Sequence, residues 1–92
     1  MSRQRWVVLF SGRVQGVGFR QVTVDFARRH DDLAGTVRNL EDGKVELILE
    51  GETLEMDRLL VALADHFRGY IAHTTVRHEP LAGMEPPVGI TW

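Results

Sequence analysis

Strand-like runs alternate with two amphipathic helical segments along this chain, and that order constrains its fold more than any other feature. In the first half, residues 6–10 are mainly β-branched and aromatic, which predicts a buried strand. Residues 20–29 carry apolar side chains at helical spacing and predict a helix. After a second predicted strand at residues 36–40, a Glu-Asp-Gly turn leads into a third, residues 44–50, with alternating apolar and polar side chains.

The second half again places a helix before a strand. Residues 53–67 present an apolar stripe at helical spacing, with Thr53 as the expected N-cap. Residues 71–78 predict a weaker strand, and a loop that holds all three prolines spans residues 79–87. A short last strand follows, in which three apolar side chains alternate: Val88, Ile90 and Trp92.

The resulting order is β-α-β-β-α-β with a short extra strand at the C-terminal end. Two similar β-α-β halves predict a ferredoxin-like α+β sandwich, in which an antiparallel sheet buries one face under both helices. With 92 residues, of which 43% are hydrophobic, the chain is expected to form a single domain, residues 1–92.

Charge balance and cysteine content limit the expected partners and compartment. The chain has 11 basic and 13 acidic residues and a net charge of −2, so neither nucleic acid nor an anionic membrane is an expected partner. The apolar run at residues 6–10 is too short for a signal-peptide core or a membrane span. Because the chain has no cysteine, its core must supply the stability, and we expect a cytoplasmic monomer.

The stretch SGRVQGVGFRQ, residues 11–21, lies where the first strand passes into the first helix. Glycine permits positive φ and close approach of a ligand to the backbone, and the first amides of a helix favour an anion. Arg20 adds a planar fork of donors suited to phosphate oxygens. The stretch therefore predicts a phosphate site, with a tight turn and a surface Arg20 as the simpler alternative. It lacks the Gly-Lys-Ser/Thr ending of a Walker loop and the third glycine of a dinucleotide fingerprint.

Two blocks of residues carry a resemblance to a known family. Residues 12–20 read GRVQGVGFR, and residues 35–39 and 42–46 read GTVRN and DGKVE. The first block resembles the acylphosphatase signature G-x-V-Q-G-V-G-F-R at every position, and the second resembles G-x-V-R-N followed by D-G-x-V-E. The chain departs from the family pattern at Thr36, where many relatives have tryptophan, and in the longer segment His30-Asp31-Asp32-Leu33 after the first helix.

The resemblance implies hydrolysis of the carboxyl-phosphate bond of small acyl phosphates, without a metal or cofactor. It maps the catalytic arginine and asparagine of the family onto Arg20 and Asn39. In this interpretation Arg20 and loop amides hold the phosphoryl group, and Asn39 positions the attacking water. The substrate-binding residues expected on this basis are Gln15, Gly16, Val17, Gly18, Phe19 and Arg20.

Two other functions are compatible with the predicted element order. A phosphate- or carbamoyl-phosphate-binding module, as occurs in larger hydrogenase-maturation proteins, would retain Arg20 and Asn39 without turnover. An RNA-binding domain would need a basic sheet face and aromatic side chains on its central strands. The third strand instead reads KVELILE and the net charge is negative, which argues against RNA binding. Acylphosphatase activity is the preferred hypothesis, and turnover would distinguish it from the binding module.

Other polar and aromatic side chains are interpreted as structural. The four histidines lack the spacing and the accompanying ligands of a metal site. The acidic side chains of the hairpin turn and third strand are expected to be solvated: Glu41, Asp42, Glu46 and Glu50. Trp6 and Trp92 are expected to pack against the sheet.

Overall fold

The computed structural model of the chain describes residues 2–92. Within this range, five strands and two helices follow the predicted order. They are β1 (Arg3–Gly12), α1 (Phe19–Ala27), β2 (Ala34–Asn39), β3 (Val45–Glu52), α2 (Thr53–His66), β4 (Ile71–Glu79) and β5 (Val88–Ile90).

The strands form one sheet in the order β4-β1-β3-β2-β5. Strand β1 pairs antiparallel with β3 and β4, and β2 pairs antiparallel with β3. The short strand β5 pairs in parallel with β2, placing Val37 opposite Ile90. The ferredoxin-like α+β fold is confirmed, although the extra strand makes the sheet mixed rather than wholly antiparallel. The parallel pairing arises because the chain crosses from β4, at one edge, to the far edge before β5 begins.

One face of the sheet and both helices enclose the core. Val8 of β1 lies opposite Leu47 of β3, and both side chains are fully buried, so the predicted alternation of the third strand is confirmed. From the helices, Phe19 and Val24 of α1 and Met56, Leu59 and Leu63 of α2 join the same buried cluster.

The start of α2 differs from the prediction by one residue. Thr53 is the first residue of the helix rather than its N-cap, and Glu52 occupies the cap position with an extended backbone and no side-chain cap. Strand β3 runs directly into α2, and the Thr53 amide donates to the carbonyl oxygen of Ser2 at 3.0 Å. The Thr53 amide, one of the unpaired amides of the first helical turn, is therefore satisfied by the backbone of Ser2.

Glu50 is buried, and the prediction that it is solvated is wrong. Its side chain is 1% exposed and accepts a 2.7 Å hydrogen bond from Arg5 Nη1. Its carboxylate also accepts hydrogen bonds of 2.8 to 3.0 Å from the backbone amides of Ala82, Gly83 and Met84. Because residues 80–87 must cross the sheet between its two edges, Glu50 anchors that crossing at the central strand β3.

Burial of the Glu50 carboxyl raises its pKa, but the hydrogen bonds from the three amides and Arg5 outweigh burial and lower the pKa to about 2. The lowered pKa means that folding favours the ionised carboxylate. The stability contributed by this group is therefore complete above its ordinary pKa of 4.5 and is lost as the pH falls toward about 2.

Replacing Glu50 by glutamine is expected to lower the free energy of unfolding by about 3 kcal/mol, because Arg5 loses a buried negative partner. Urea unfolding from neutral pH down to about pH 2 measures both the loss and its pH dependence. The control Glu46→Gln, on the same face of β3, removes a partly exposed pair with Arg38 and should cost less than about 1 kcal/mol. Equal losses of unfolding free energy in the two variants would contradict the anchoring role. So would a Glu50→Gln variant whose unfolding free energy falls with decreasing pH as steeply as that of the wild type.

Candidate active site

The segment between β1 and α1 forms a loop whose conformation requires glycine. Gly16 has φ of 78° and Gly18 has φ of 80°, both in the left-handed region, where other residues are strained. A Cβ at either position would meet no neighbouring atom within 4 Å, so backbone conformation rather than crowding selects glycine. Gly18 is the N-cap of α1 and offers no side-chain acceptor. The first amides of the helix are therefore open to an external acceptor.

Arg20 is the second residue of α1 and lines a cavity that Gly16 and Gly18 also line. The first turn of the helix carries no acidic side chain that would complement the helix dipole. None of the ion pairs formed within residues 2–92 involves Arg20. Its Cζ instead lies 4.7 Å from the centre of the Trp92 ring. The positive charge is thus held beside an aromatic surface and remains available to an anion.

Asn39 is the last residue of β2 and approaches the same place from the sheet. Its Oδ1 atom is buried and has no hydrogen-bond partner within the described chain. Buried polar atoms normally have partners, so this oxygen is available to a donor that enters the site. Asn39 lines a cavity of about 240 Å³. The other residues that line it are Val14, Gly16, Gly18, Phe19, Arg20, Gln21, Ile90 and Trp92.

A larger and more open hollow, of about 740 Å³, lies along α2. It is lined by side chains such as Asp57, Arg58 and Val61, and it contains none of the predicted phosphate-binding residues. The smaller cavity is the candidate site because it combines a guanidinium, loop amides and an unpartnered amide oxygen.

The Gln15 side chain ties the loop to the strand end that carries Asn39. Its Nε2 donates to the carbonyl oxygens of Leu40 and Lys44 at 2.8 and 2.9 Å. These two carbonyls lie at the base of the β2–β3 turn, because Leu40 directly follows Asn39 and Lys44 directly precedes β3. Gln15 therefore fixes the loop against the turn, and its side chain is not among those that line the cavity.

Replacing Gln15 by alanine is expected to lower kcat/KM about tenfold, because each lost hydrogen bond is worth about 1 kcal/mol and the loop is no longer held against the turn. Gln15→Glu tests the direction of the hydrogen bonds, because a carboxylate of the same shape cannot donate to two carbonyls. Steady-state kinetics with an acyl phosphate measures the effect. Full activity in both variants would show that the two Gln15 hydrogen bonds do not contribute to catalysis.

The remaining predicted binding residues divide into two groups. The Phe19 side chain is 2% exposed and packs in the core, with ring centroids 4.8 Å from Phe10 and 4.5 Å from Phe67. Its contribution at the cavity is therefore through the backbone. Val17 is 38% exposed and does not line the cavity. The structure brings together Gly16, Gly18, Phe19, Arg20 and Asn39, and leaves Gln15 and Val17 at the periphery.

Trp92 is the residue that the sequence interpretation missed. It was expected to pack against the sheet, but its side chain is 87% exposed and lies over Arg20. Trp6, by contrast, is 8% exposed and joins the core as predicted. The alternation of Val88, Ile90 and Trp92 has no feature that would have indicated contact with a residue seventy positions earlier. Parallel pairing of β5 with β2 creates that contact.

Residues 2–92 contain no group of three or more histidine, cysteine, aspartate or glutamate side chains arranged to hold a metal ion. Neither helix in that range has the length and apolar character needed to cross a membrane. The cytoplasmic location stays a prediction.

The chain is similar to known proteins over most of its length. A family model described as Acylphosphatase matches residues 6–84. An acylphosphatase of Pseudomonas paraeruginosa is 60% identical over 74 residues, which cover 79% of this chain and 80% of that protein. An acylphosphatase of Roseiflexus sp. is 38% identical over 95 residues, which cover 100% of this chain and 99% of that protein.

A solved structure extends the agreement to the fold. The crystal structure of acylphosphatase from Bacillus subtilis matches with a TM-score of 0.86 at 29% identity, covering 99% of this chain and 100% of that one. Both sequence blocks, residues 12–20 and 35–46, fall within the segment that the family model matches. With the loop, the guanidinium and the amide gathered at one cavity, this chain belongs to the acylphosphatase family of enzymes.

Proposed function

We propose that this protein hydrolyses the carboxyl-phosphate bond of acyl phosphates, giving a carboxylate and inorganic phosphate. One observation carries the proposal: Arg20, the glycine loop and the unpartnered Oδ1 of Asn39 line the same cavity. The first two are suited to a phosphoryl dianion, and the third is suited to a polar molecule beside it. Because the assigned residues of one chain make up a complete site, no second copy is needed for the reaction, and we propose a monomer as the active form.

The phosphoryl group is held by the loop and the start of α1. Backbone amides between Gln15 and Arg20 donate to its oxygens, and the Arg20 guanidinium supplies two parallel donors and the positive charge. Gly16 and Gly18 permit the left-handed conformation of the loop, and both residues line the cavity. Charge that develops on the equatorial oxygens is met by groups already in place, which is the main requirement of phosphoryl transfer.

Asn39 holds the attacking water, which donates a hydrogen bond to the buried Oδ1. The water oxygen attacks phosphorus in line with the acyl oxygen. As the new phosphorus–oxygen bond forms, the bond from phosphorus to the acyl oxygen breaks, and its electron pair leaves with the carboxylate. The protons of the water pass to the phosphate product and to solvent. Because a carboxylate departs readily as an anion, the reaction needs no strong general acid.

Phosphate release from benzoyl phosphate in the presence of EDTA tests the proposal. The wild-type protein should hydrolyse benzoyl phosphate under these conditions, because the assigned steps use only groups of the protein chain. A folded wild-type protein that binds phosphate without turnover would refute the proposal and favour the acyl- or carbamoyl-phosphate-binding module. Loss of turnover that is restored by added divalent metal would refute the metal-independent mechanism.

A further inference from the structure

We propose that Trp92, together with Ile90, forms an apolar platform for the acyl group and gives the site a preference for aromatic over small aliphatic acyl phosphates. The inference rests on the proposed function, since it concerns the part of the substrate that projects beyond the phosphoryl group. Both residues line the cavity with Arg20 and Asn39, and both lie beyond residues 6–84, the segment that the family model matches.

The accessible apolar surface of the cavity comes from these two side chains. Trp92 is 87% exposed and Ile90 is 37% exposed. The other large apolar residues that line the cavity, Val14 and Phe19, are 1% and 2% exposed and are occupied by core contacts. An acyl group attached to a bound phosphoryl group therefore reaches apolar surface at Ile90 and Trp92.

The position of the indole relative to Arg20 brings it close to the acyl group. The Arg20 Cζ lies 4.7 Å from the centre of the Trp92 ring, a cation–π contact that does not occupy the guanidinium N–H donors with a hydrogen-bond acceptor. The acyl carbon of the substrate is bonded to one of the oxygens of that phosphoryl group. An aromatic acyl ring can then approach the indole at the separation of about 4.5 to 7 Å that aromatic pairs prefer.

The sheet holds the backbone that carries Trp92. The amide of Thr91 donates to the carbonyl oxygen of Val37 at 2.9 Å, and Val88, at the start of β5, is 1% exposed. Ile90 lies opposite Val37 in the last pair of the parallel register, and Trp92 lies two residues beyond β5. The hydrogen bond of Thr91 to β2 therefore orders the backbone next to the indole before a substrate binds, on the strand that carries Asn39, the proposed water-binding residue.

The test compares benzoyl phosphate with acetyl phosphate in the wild type, Trp92→Ala and Trp92→Phe. Trp92→Ala should lower kcat/KM for benzoyl phosphate about tenfold and that for acetyl phosphate less than twofold, as expected for loss of one aromatic contact. Trp92→Phe should retain most of the preference. Leu54→Ala, which removes another exposed apolar side chain outside the cavity, should leave kcat/KM unchanged for both substrates. Inhibition by inorganic phosphate should be unchanged in all variants.

Equal losses for both substrates, with weaker phosphate inhibition, would overturn the platform and show that Trp92 acts through Arg20. If the ratio of kcat/KM for benzoyl phosphate to that for acetyl phosphate were unchanged in Trp92→Ala, the platform would also be overturned. Calorimetric binding of benzoylphosphonate and acetylphosphonate separates this inference from the proposed function, because neither analogue is hydrolysed. The wild type could lack turnover and still bind benzoylphosphonate more tightly than acetylphosphonate, with a difference that depends on Trp92. That result would refute the proposed hydrolysis and support the platform. A preference for benzoylphosphonate that survives Trp92→Ala would refute the platform.

Discussion

Replacing Arg20 by alanine is expected to lower kcat/KM for benzoyl phosphate by about 10³-fold or more and to remove detectable phosphate binding. The guanidinium is the charged group that lines the cavity, and no carboxylate within residues 2–92 pairs with it. The loop amides that remain can orient a phosphoryl group, but they cannot neutralise its charge. Phosphate titration by calorimetry and initial-rate kinetics measure the two effects.

Arg20→Lys should be nearly as damaging, because a single ammonium keeps the charge and loses the bidentate fork. Arg13→Ala is the matched control. Arg13 belongs to the same loop, but its guanidinium lies 5.0 Å from the centre of the Tyr70 ring and does not line the cavity. Its removal should change kcat/KM by less than about threefold, as for a distant surface charge. Comparable losses in Arg13→Ala and Arg20→Ala would mean that general charge, rather than the position of Arg20, supports activity.

Replacing Asn39 by alanine is expected to lower kcat by about 10²-fold or more while phosphate binding is retained. The reason is the division of roles within the cavity. The phosphoryl group is held by the loop and Arg20, whereas Asn39 offers a buried oxygen, without a protein partner, to the attacking water. A kcat effect without a binding effect is the kinetic signature of a group that acts in the transition state.

Thr36→Ala is a suitable control for Asn39→Ala, because both positions lie on β2 but their side chains point to opposite faces of the sheet. Its kcat should stay within about twofold of the wild type, as for a surface substitution. A near-normal kcat in Asn39→Ala would refute the water-positioning role. Loss of phosphate binding in that variant would assign Asn39 to the phosphoryl group instead.

Features that depend on neighbouring residues were predicted correctly from the sequence. The alternation of residues 44–50 and the apolar stripe of residues 53–67 identified a half-buried strand and a helix, because side-chain direction follows the local backbone period. The glycines at 16 and 18 indicated positive φ, and both adopt it. Arg20 was indicated by its position after the glycines at the helix start and Asn39 by the motif resemblance, and the fold brings the two residues to one cavity.

Features that depend on distant residues were misjudged. Glu50 alternates with apolar neighbours as a solvated side chain would, yet it is buried because Arg5 and a segment more than thirty residues later converge on it. Trp92 alternates with Val88 and Ile90 as a sheet-packing residue would, yet it covers Arg20. Arg5 faces Glu50 through the register of β1 with β3, whereas the amides of residues 82–84 and the Trp92 ring are placed by the path of the chain after β4. No local period encodes either arrangement.

The sequence by itself determined the element order, the faces of β3 and α2, and the residue types from which an anion site can be built. Each of these follows from the steric preferences and periodicities of adjacent residues. The tertiary structure alone decided which of those residues meet. The strand order β4-β1-β3-β2-β5 makes residues 80–87 cross the sheet over Glu50 and returns the chain beside β2. That return places Trp92 against Arg20, because contacts across a sheet depend on strand order and register rather than on separation along the chain.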